Sequence, residues 1–169
     1  MLLSHHGVTP ELGPSVFVAA GAVIIGDVKI GKESSIWFNA VVRGDVNYIR
    51  IGERTNIQDG AILHVTHNVY PLLIGSNVTV GHGVILHGAR VEDFTLVGMG
   101  ATVLDNARIG SYSLIAAGSL VPENAVIPEG VLVAGVPAKI KRSLNDDERR
   151  RIAESAAHYV EYVREYRTK

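Results

Sequence analysis

The chain has 169 residues, with 16 Lys and Arg against 17 Asp and Glu, a formal net charge of −1, and no cysteine. That length suits one domain with a real core, and the balanced charge gives no electrostatic ground for a nucleic-acid or anionic-membrane partner. Without cysteine there is no disulfide framework, thiolate metal site or thiol nucleophile, which suits a reducing cytoplasm.

The opening segment MLLSHHGVTPELG has no charged stretch followed by an apolar run, so no signal peptide is expected. No apolar stretch approaches a membrane span. His5 and His6 read as a flexible, solvated pair. A β-branched beat then begins, with Val18, Ile24, Ile30, Ile36 and Val42 spaced by six residues. It returns at Ile51, Ile57 and Leu63, again at Ile74, Val80 and Leu86, and runs unbroken through Val91, Val97, Val103, Ile109, Ile115, Val121, Ile127 and Val133. Four residues after the first six of this last series stand small residues: Thr95, Ala101, Ala107, Ser113, Ser119 and Ala125.

A period of six belongs to neither an α-helix nor a sandwich strand. It is the mark of a parallel β-helix, an all-β solenoid with one inward residue per short strand and a small residue at each corner. Three steps of six close one triangular coil. The solenoid is expected over 1–142 and a C-terminal α-helix, packed along it, over 143–169. In that tail Asn145 reads as an N-cap with Glu148 completing a capping box. Ile152, Ala156, Tyr159, Val160 and Val163 share one helical face. The basic clusters Lys139–Arg142 and Arg149–Arg151 read as solvated.

The beat breaks three times. Val42 to Ile51 is nine residues, Leu63 to Ile74 is eleven, and Leu86 to Val91 is five. Beside the breaks stand polar residues that a plain solenoid does not need: Arg43 and Asp45, His64 and His67, and His87. Counting faces rather than residues puts Arg43, His64 and His87 each one place after a position closing a coil. His64 and His87 are therefore expected as stacked neighbours on adjacent coils, about 4.8 Å apart at the backbone. Two imidazoles so placed can share a metal ion at about 2.0–2.1 Å from each nitrogen. His82 falls on a different face, above Asp59. A compact prism cannot easily bring it round its corner, but a neighbouring copy in a closed ring of three can supply it. His67 and His158 read by default as surface histidines.

The hexad solenoid, RGD at Arg43–Asp45, NIQD at Asn56–Asp59, the three histidines, GMGATV at Gly98–Val103 and GVPAK at Gly135–Lys139 together resemble the γ-class carbonic anhydrases and their close homologues. The resemblance spans nearly the whole chain. It implies a left-handed parallel β-helix of hexapeptide repeats, a homotrimer, and a metal at each subunit interface held by His64, His82 and His87. Zn2+ is the implied metal, with Fe2+ or Co2+ served by the same nitrogens. The implied reaction is reversible hydration of carbon dioxide to bicarbonate by a metal-bound hydroxide. By the same resemblance Arg43 and Asp45 form an intersubunit ion pair, and Gln58 stands beside the metal-bound water. Asn56 and Asp59 shape the polar pocket, and Tyr159 reaches toward it from the helix. Carboxylates near the histidine N–H groups would fix tautomers, but which histidine Asp45 or Asp59 serves stays open at this level.

Two positions depart from the family pattern. Val46 stands where the archetype has a glutamate, and the segment Val65–Leu72, VTHNVYPL, has no acid where the archetype carries a proton-shuttling glutamate. His67, an imidazole in that segment, is the candidate replacement. Two other functions compete. One is a hexapeptide acyltransferase or thioesterase acting on coenzyme A esters. The other is a non-catalytic, metal-binding trimeric scaffold.

Overall fold

The computed structural model describes residues 1–167. Its core is three stacked ladders of short parallel strands, and the hexad residues are the rungs. One ladder registers Ile24, Val42, Leu63, Leu86, Val103 and Val121. A second registers Ile30, Ile51, Ile74, Val91, Ile109 and Ile127. The third registers Val18, Ile36, Ile57, Val80, Val97, Ile115 and Val133. All of these side chains are buried except Val18, which is half-buried. β-branched residues suit such a column because they are stiff and fill the pleat they stand on.

The corners need backbone that turns within two residues, and they take it from the left-handed region. One corner uses Gly60, Gly83, Gly100 and Gly118 at positive φ. Another uses Glu33, Arg54, Asn77, Phe94 and Tyr112. The third carries Gly88, Asn106 and Asn124. At this last corner lies the five-residue step, between the strands Ile85–His87 and Arg90–Val91.

The two longer breaks fold against each other. Asn47 Nδ2 donates to the Thr66 carbonyl at 3.1 Å, and the Asn68 amide donates to the Val46 carbonyl at 3.1 Å. The N-terminal histidines, expected as a flexible, solvated pair, keep their exposure at His6 but lie in a segment tied to the solenoid. Leu2–Leu3 pairs with Ile24 and Ile25, His5 and Val8 exchange backbone hydrogen bonds at 2.9 Å, and the His5 and His6 rings meet edge-on at 4.2 Å. Backbone pairing to an existing ladder orders a segment that composition alone marks as solvated.

At the other end, Val131–Gly135 turns back antiparallel onto Ala138–Ser143, a hairpin that the periodicity does not announce. The helix α1, Asp146–Arg167, follows. Its capping box is formed: Glu148 N–H donates to Asn145 Oδ1 at 2.9 Å, and Asn145 N–H to Glu148 Oε2 at 3.0 Å. Arg142 grips the same carboxylate and, with the Asn145 amide, holds it down to about 2. Ile152, Ala156, Val160 and Val163 bury the stripe against the third ladder's outer face, while Tyr159 stays half-buried. No helix among the described residues is long and apolar enough to cross a membrane.

Candidate metal centre

His64 ends the strand Ile62–His64, His87 ends Ile85–His87, and the two residues are direct partners in the parallel register. Their rings lie 5.2 Å apart, with His64 Nδ1 3.2 Å from His87 Nε2. Each ring has a carboxylate on its far nitrogen. His64 Nε2 lies 3.1 Å from Asp45 Oδ1, and His87 Nδ1 lies 2.6 Å from Asp105 Oδ1. A carboxylate only accepts, so both far nitrogens carry the proton. The two near nitrogens then face each other as lone pairs, an opposition that a cation between them relieves. Two ligands of a tetrahedral site with bonds of 2.0–2.1 Å stand about 3.4 Å apart. The donor pair fits a metal ion.

The surroundings hold this arrangement. Arg43 Nη1 pairs with Asp45 Oδ2 at 2.6 Å within the chain. Both partners come from the nine-residue break, so their side chains lie close enough to meet at home. Burial raises the Asp45 carboxyl, but hydrogen bonds from Arg43 and His64 outweigh it and hold the group below its usual range. Burial lowers His64, and the charges of Arg43 and His87 add to that against Asp45, so the imidazole is held neutral below its ordinary value. Thr66, from the eleven-residue break, donates to Asp105 Oδ2 at 2.6 Å. Asp105 and Thr66 were not foreseen. They lie 18 and 21 residues from His87, and only the coil register brings them to it.

His82 sits at another corner, with Nδ1 2.8 Å from Asp59 Oδ2. This settles the question left open by the sequence: Asp59 serves His82 and Asp45 serves His64. Both His82 and Asp59 are about half exposed. Tyr159 stands close by. Burial raises its phenol, and the negative charge of Asp59 raises it further. Its ring lies edge-on to Trp37 at 5.4 Å and to Tyr162 at 5.5 Å. Gln58 is buried and donates from Nε2 to Asn56 Oδ1 at 3.0 Å.

The residues expected at the site thus fall into two groups. Arg43, Asp45, His64 and His87 form one, and Asn56, Gln58, Asp59, His82 and Tyr159 the other. No hydrogen bond or ring contact joins His82 to His64 or His87 among the described residues, and no three ligating side chains of one chain converge there. His67 belongs to neither group. It lines a cleft of about 460 Å³ with His5, His6, Asp27 and Tyr48, and one wall of that cleft is Asp45.

Comparison with known proteins bears on the fold and the family. Residues 9–44 match the family model "Bacterial transferase hexapeptide (six repeats)", whose repeats wind as left-handed β-helices. A Bacillus cereus crystal structure described as that of a candidate acetyltransferase superposes with a TM-score of 0.96, at 42% identity, covering 99% of this chain and 96% of the other. The "Carbonic anhydrase" of Geobacillus kaustophilus is 48% identical over 167 residues, spanning 99% of this chain and 91% of the relative. "Gamma carbonic anhydrase 2, mitochondrial" of Arabidopsis thaliana is 50% identical over 164 residues, and there the match covers 94% of this chain but only 59% of the longer plant protein. With these identities over almost its full length, and with the histidine pair in register, the chain belongs to the γ-class carbonic anhydrase family.

Proposed function

We propose that the protein is a metal-dependent carbonic anhydrase acting on carbon dioxide and bicarbonate as a homotrimer. His64 and His87 of one copy and His82 of the next would hold the ion. The observation that carries this reading is the pair of imidazoles whose near nitrogens stand 3.2 Å apart while their other nitrogens are engaged by carboxylates. Three neutral nitrogens suit Zn2+, and Fe2+ or Co2+ as well. When bound, such an ion supplies Lewis acidity and lowers the pKa of a coordinated water to about 7.

The chain's own residues do the rest. Asp45, Asp59 and Asp105 fix the tautomer and aim of the three imidazoles, and Arg43 fixes Asp45. Gln58 would orient the attacking oxygen, with Asn56 holding its amide. Tyr159 keeps its O–H at neutral pH, since burial and the charge of Asp59 raise its phenol above the ordinary value. Hydration of carbon dioxide releases one proton per turnover, and His67 is our candidate to take it up. It lines the cleft that reaches Asp45, with His5 and His6 beside it.

The trimer rests on three features. The two halves of the site lie on different faces. Ile62 and Ile85, next to His64 and His87, leave 46% and 40% of their surface exposed. At Gly60, Gly83, Gly100 and Gly118, beside Asp59 and His82, a Cβ would meet nothing within 4 Å, so this corner leaves open space where another copy would approach. A cysteine-free chain suits the cytoplasm, where we place it, although some relatives are named mitochondrial.

Acyl transfer from coenzyme A is the second reading, favoured by the description of the Bacillus cereus structure. The histidine geometry weighs against it. A general base must aim its lone pair at substrate, whereas His64 and His87 aim theirs at each other. Metal analysis of the purified protein, followed by stopped-flow carbon dioxide hydration on its zinc, iron and cobalt forms, tests the proposal. We expect one metal per chain and hydration that is lost with His64→Ala. Stoichiometric metal without hydration across the pH range leaves the scaffold reading, and the absence of metal removes the site.

A further inference from the structure

The strand residues Ser35, Asn56 and Thr79 are stacked rungs of the outer third face, all buried beneath α1. A polar column under a helix is costly unless its hydrogen bonds are complete: Ser35 Oγ accepts from Trp37 Nε1 at 2.9 Å, and Asn56 and Thr79 belong to a directed chain. Asn56 Nδ2 lies 3.0 Å from Thr79 Oγ1 and 3.4 Å from the Val78 carbonyl. A carbonyl only accepts, so the Asn56 nitrogen faces it and the Asn56 oxygen faces the other way. That oxygen accepts from Gln58 Nε2 at 3.0 Å. Thr79 Oγ1 accepts from Asn56 and has one proton to give, and the acceptor at hand is Ser155 Oγ of α1, 3.1 Å away.

We propose that Thr79 and Ser155 are positioning residues that set the direction of the Gln58 amide. The order runs from Gln58 N–H to Asn56 oxygen, from Asn56 N–H to Thr79 oxygen, and from Thr79 O–H to Ser155 oxygen. It forces the Gln58 nitrogen inward and leaves its Oε1 for the reacting oxygen. The solenoid completes its coils without α1, so the helix contributes more than a cover over one face. It supplies the last acceptor of the chain and, four residues on, Tyr159. This inference rests on the role proposed for Gln58, and its test has one arm that does not depend on catalysis.

That arm is NMR of the metal-free trimer. The Asn56 and Gln58 side-chain amide protons are expected to exchange slowly in the wild type. In Thr79→Val, which keeps the shape and removes the hydroxyl, they should exchange at least about tenfold faster, the loss of one ordinary hydrogen bond. Thr79→Ser should restore protection, and Ser155→Ala should lie between. Unchanged exchange in Thr79→Val overturns the chain of bonds, whether or not the protein hydrates carbon dioxide. The second arm is kinetic and uses metal-loaded protein with unaltered metal content. Thr79→Val should lower kcat about tenfold and should add nothing further in a Gln58→Ala background. Additive losses there overturn the positioning role, and so does a shift in the visible spectrum of the cobalt form equal in Thr79→Val and Thr79→Ser.

Discussion

His64 shows how much a single side chain's surroundings decide. Burial disfavours its charged form, Arg43 and His87 add to that, and the Asp45 hydrogen bond only partly opposes them, so its folded-state pKa lies below the ordinary 6.5. An unfolded chain takes up a proton near 6.5 that the native chain refuses. The stability that follows is fully present above that pH and is lost as pH falls toward the lower, folded-state value. The slope contributed by one such group reaches about 1.4 kcal/mol per pH unit. Asp45 does not confuse the test, since its own pKa is lowered below 3.8 and its contribution persists to more acidic conditions. We therefore expect chelator-treated wild-type protein to lose stability to urea between pH 6.5 and 5, and His64→Gln to lose measurably less over the same interval. Equal slopes would mean that His64 is solvated and not held neutral for a metal.

At the scale of the element, the informative parts are the turns that depart from the repeat. The five-residue step works because Gly88 turns at φ +52. A Cβ there would strike Asp105 Oδ1 and lie 2.9 Å from Tyr70 Cβ. Asn106 and Asn124 hold the same corner on the next coils at φ 56 and 60, so asparagine is compatible with the backbone itself. Gly88→Asn thus keeps the turn and displaces the carboxylate that fixes His87. Its expected effect is a fall in metal affinity of about 10–100-fold, the usual worth of an outer carboxylate, with urea stability reduced by no more than about 2 kcal/mol. Competition with a chelating dye measures the first and denaturation the second. Unaltered affinity would show that Asp105 is dispensable to the site. The same contrast marks what the sequence could reveal. The beat of Val91 to Val133 exposes the coil, and face counting stacks His64 on His87, because β-helix register is a matter of arithmetic. Asp105, Thr66 and Ser155 stand outside the hexad beat of inward residues. Their roles depend on how side chains curl at corners and where α1 lies along its face, and neither leaves a spacing to count.

For the whole molecule the decisive feature is that one chain holds its histidines on two unlike faces, which under the proposed function are the two halves of a site. His64 and His87 carry their carboxylates on one face, while His82 with Asp59 lies at a different corner. A closed ring brings unlike patches together, each copy offering one half to each neighbour. A chain lacking His82 then spoils only the half-site it lends, and a chain lacking His64 only the one it keeps. Trimers made wholly of His82→Ala or wholly of His64→Ala should bind metal poorly. When the two are refolded together, a mixed trimer has just one junction where an intact His64–His87 pair meets an intact His82. Such trimers, isolated with two different affinity tags, should recover at most one metal per trimer, with hydration activity in proportion. Titrating cobalt into the doubly tagged species and counting the sites by absorbance makes the comparison direct. If verified mixed trimers bind no more metal than their parents, the three histidines do not meet across copies, and the site must be built within one chain after a rearrangement of the His82 corner.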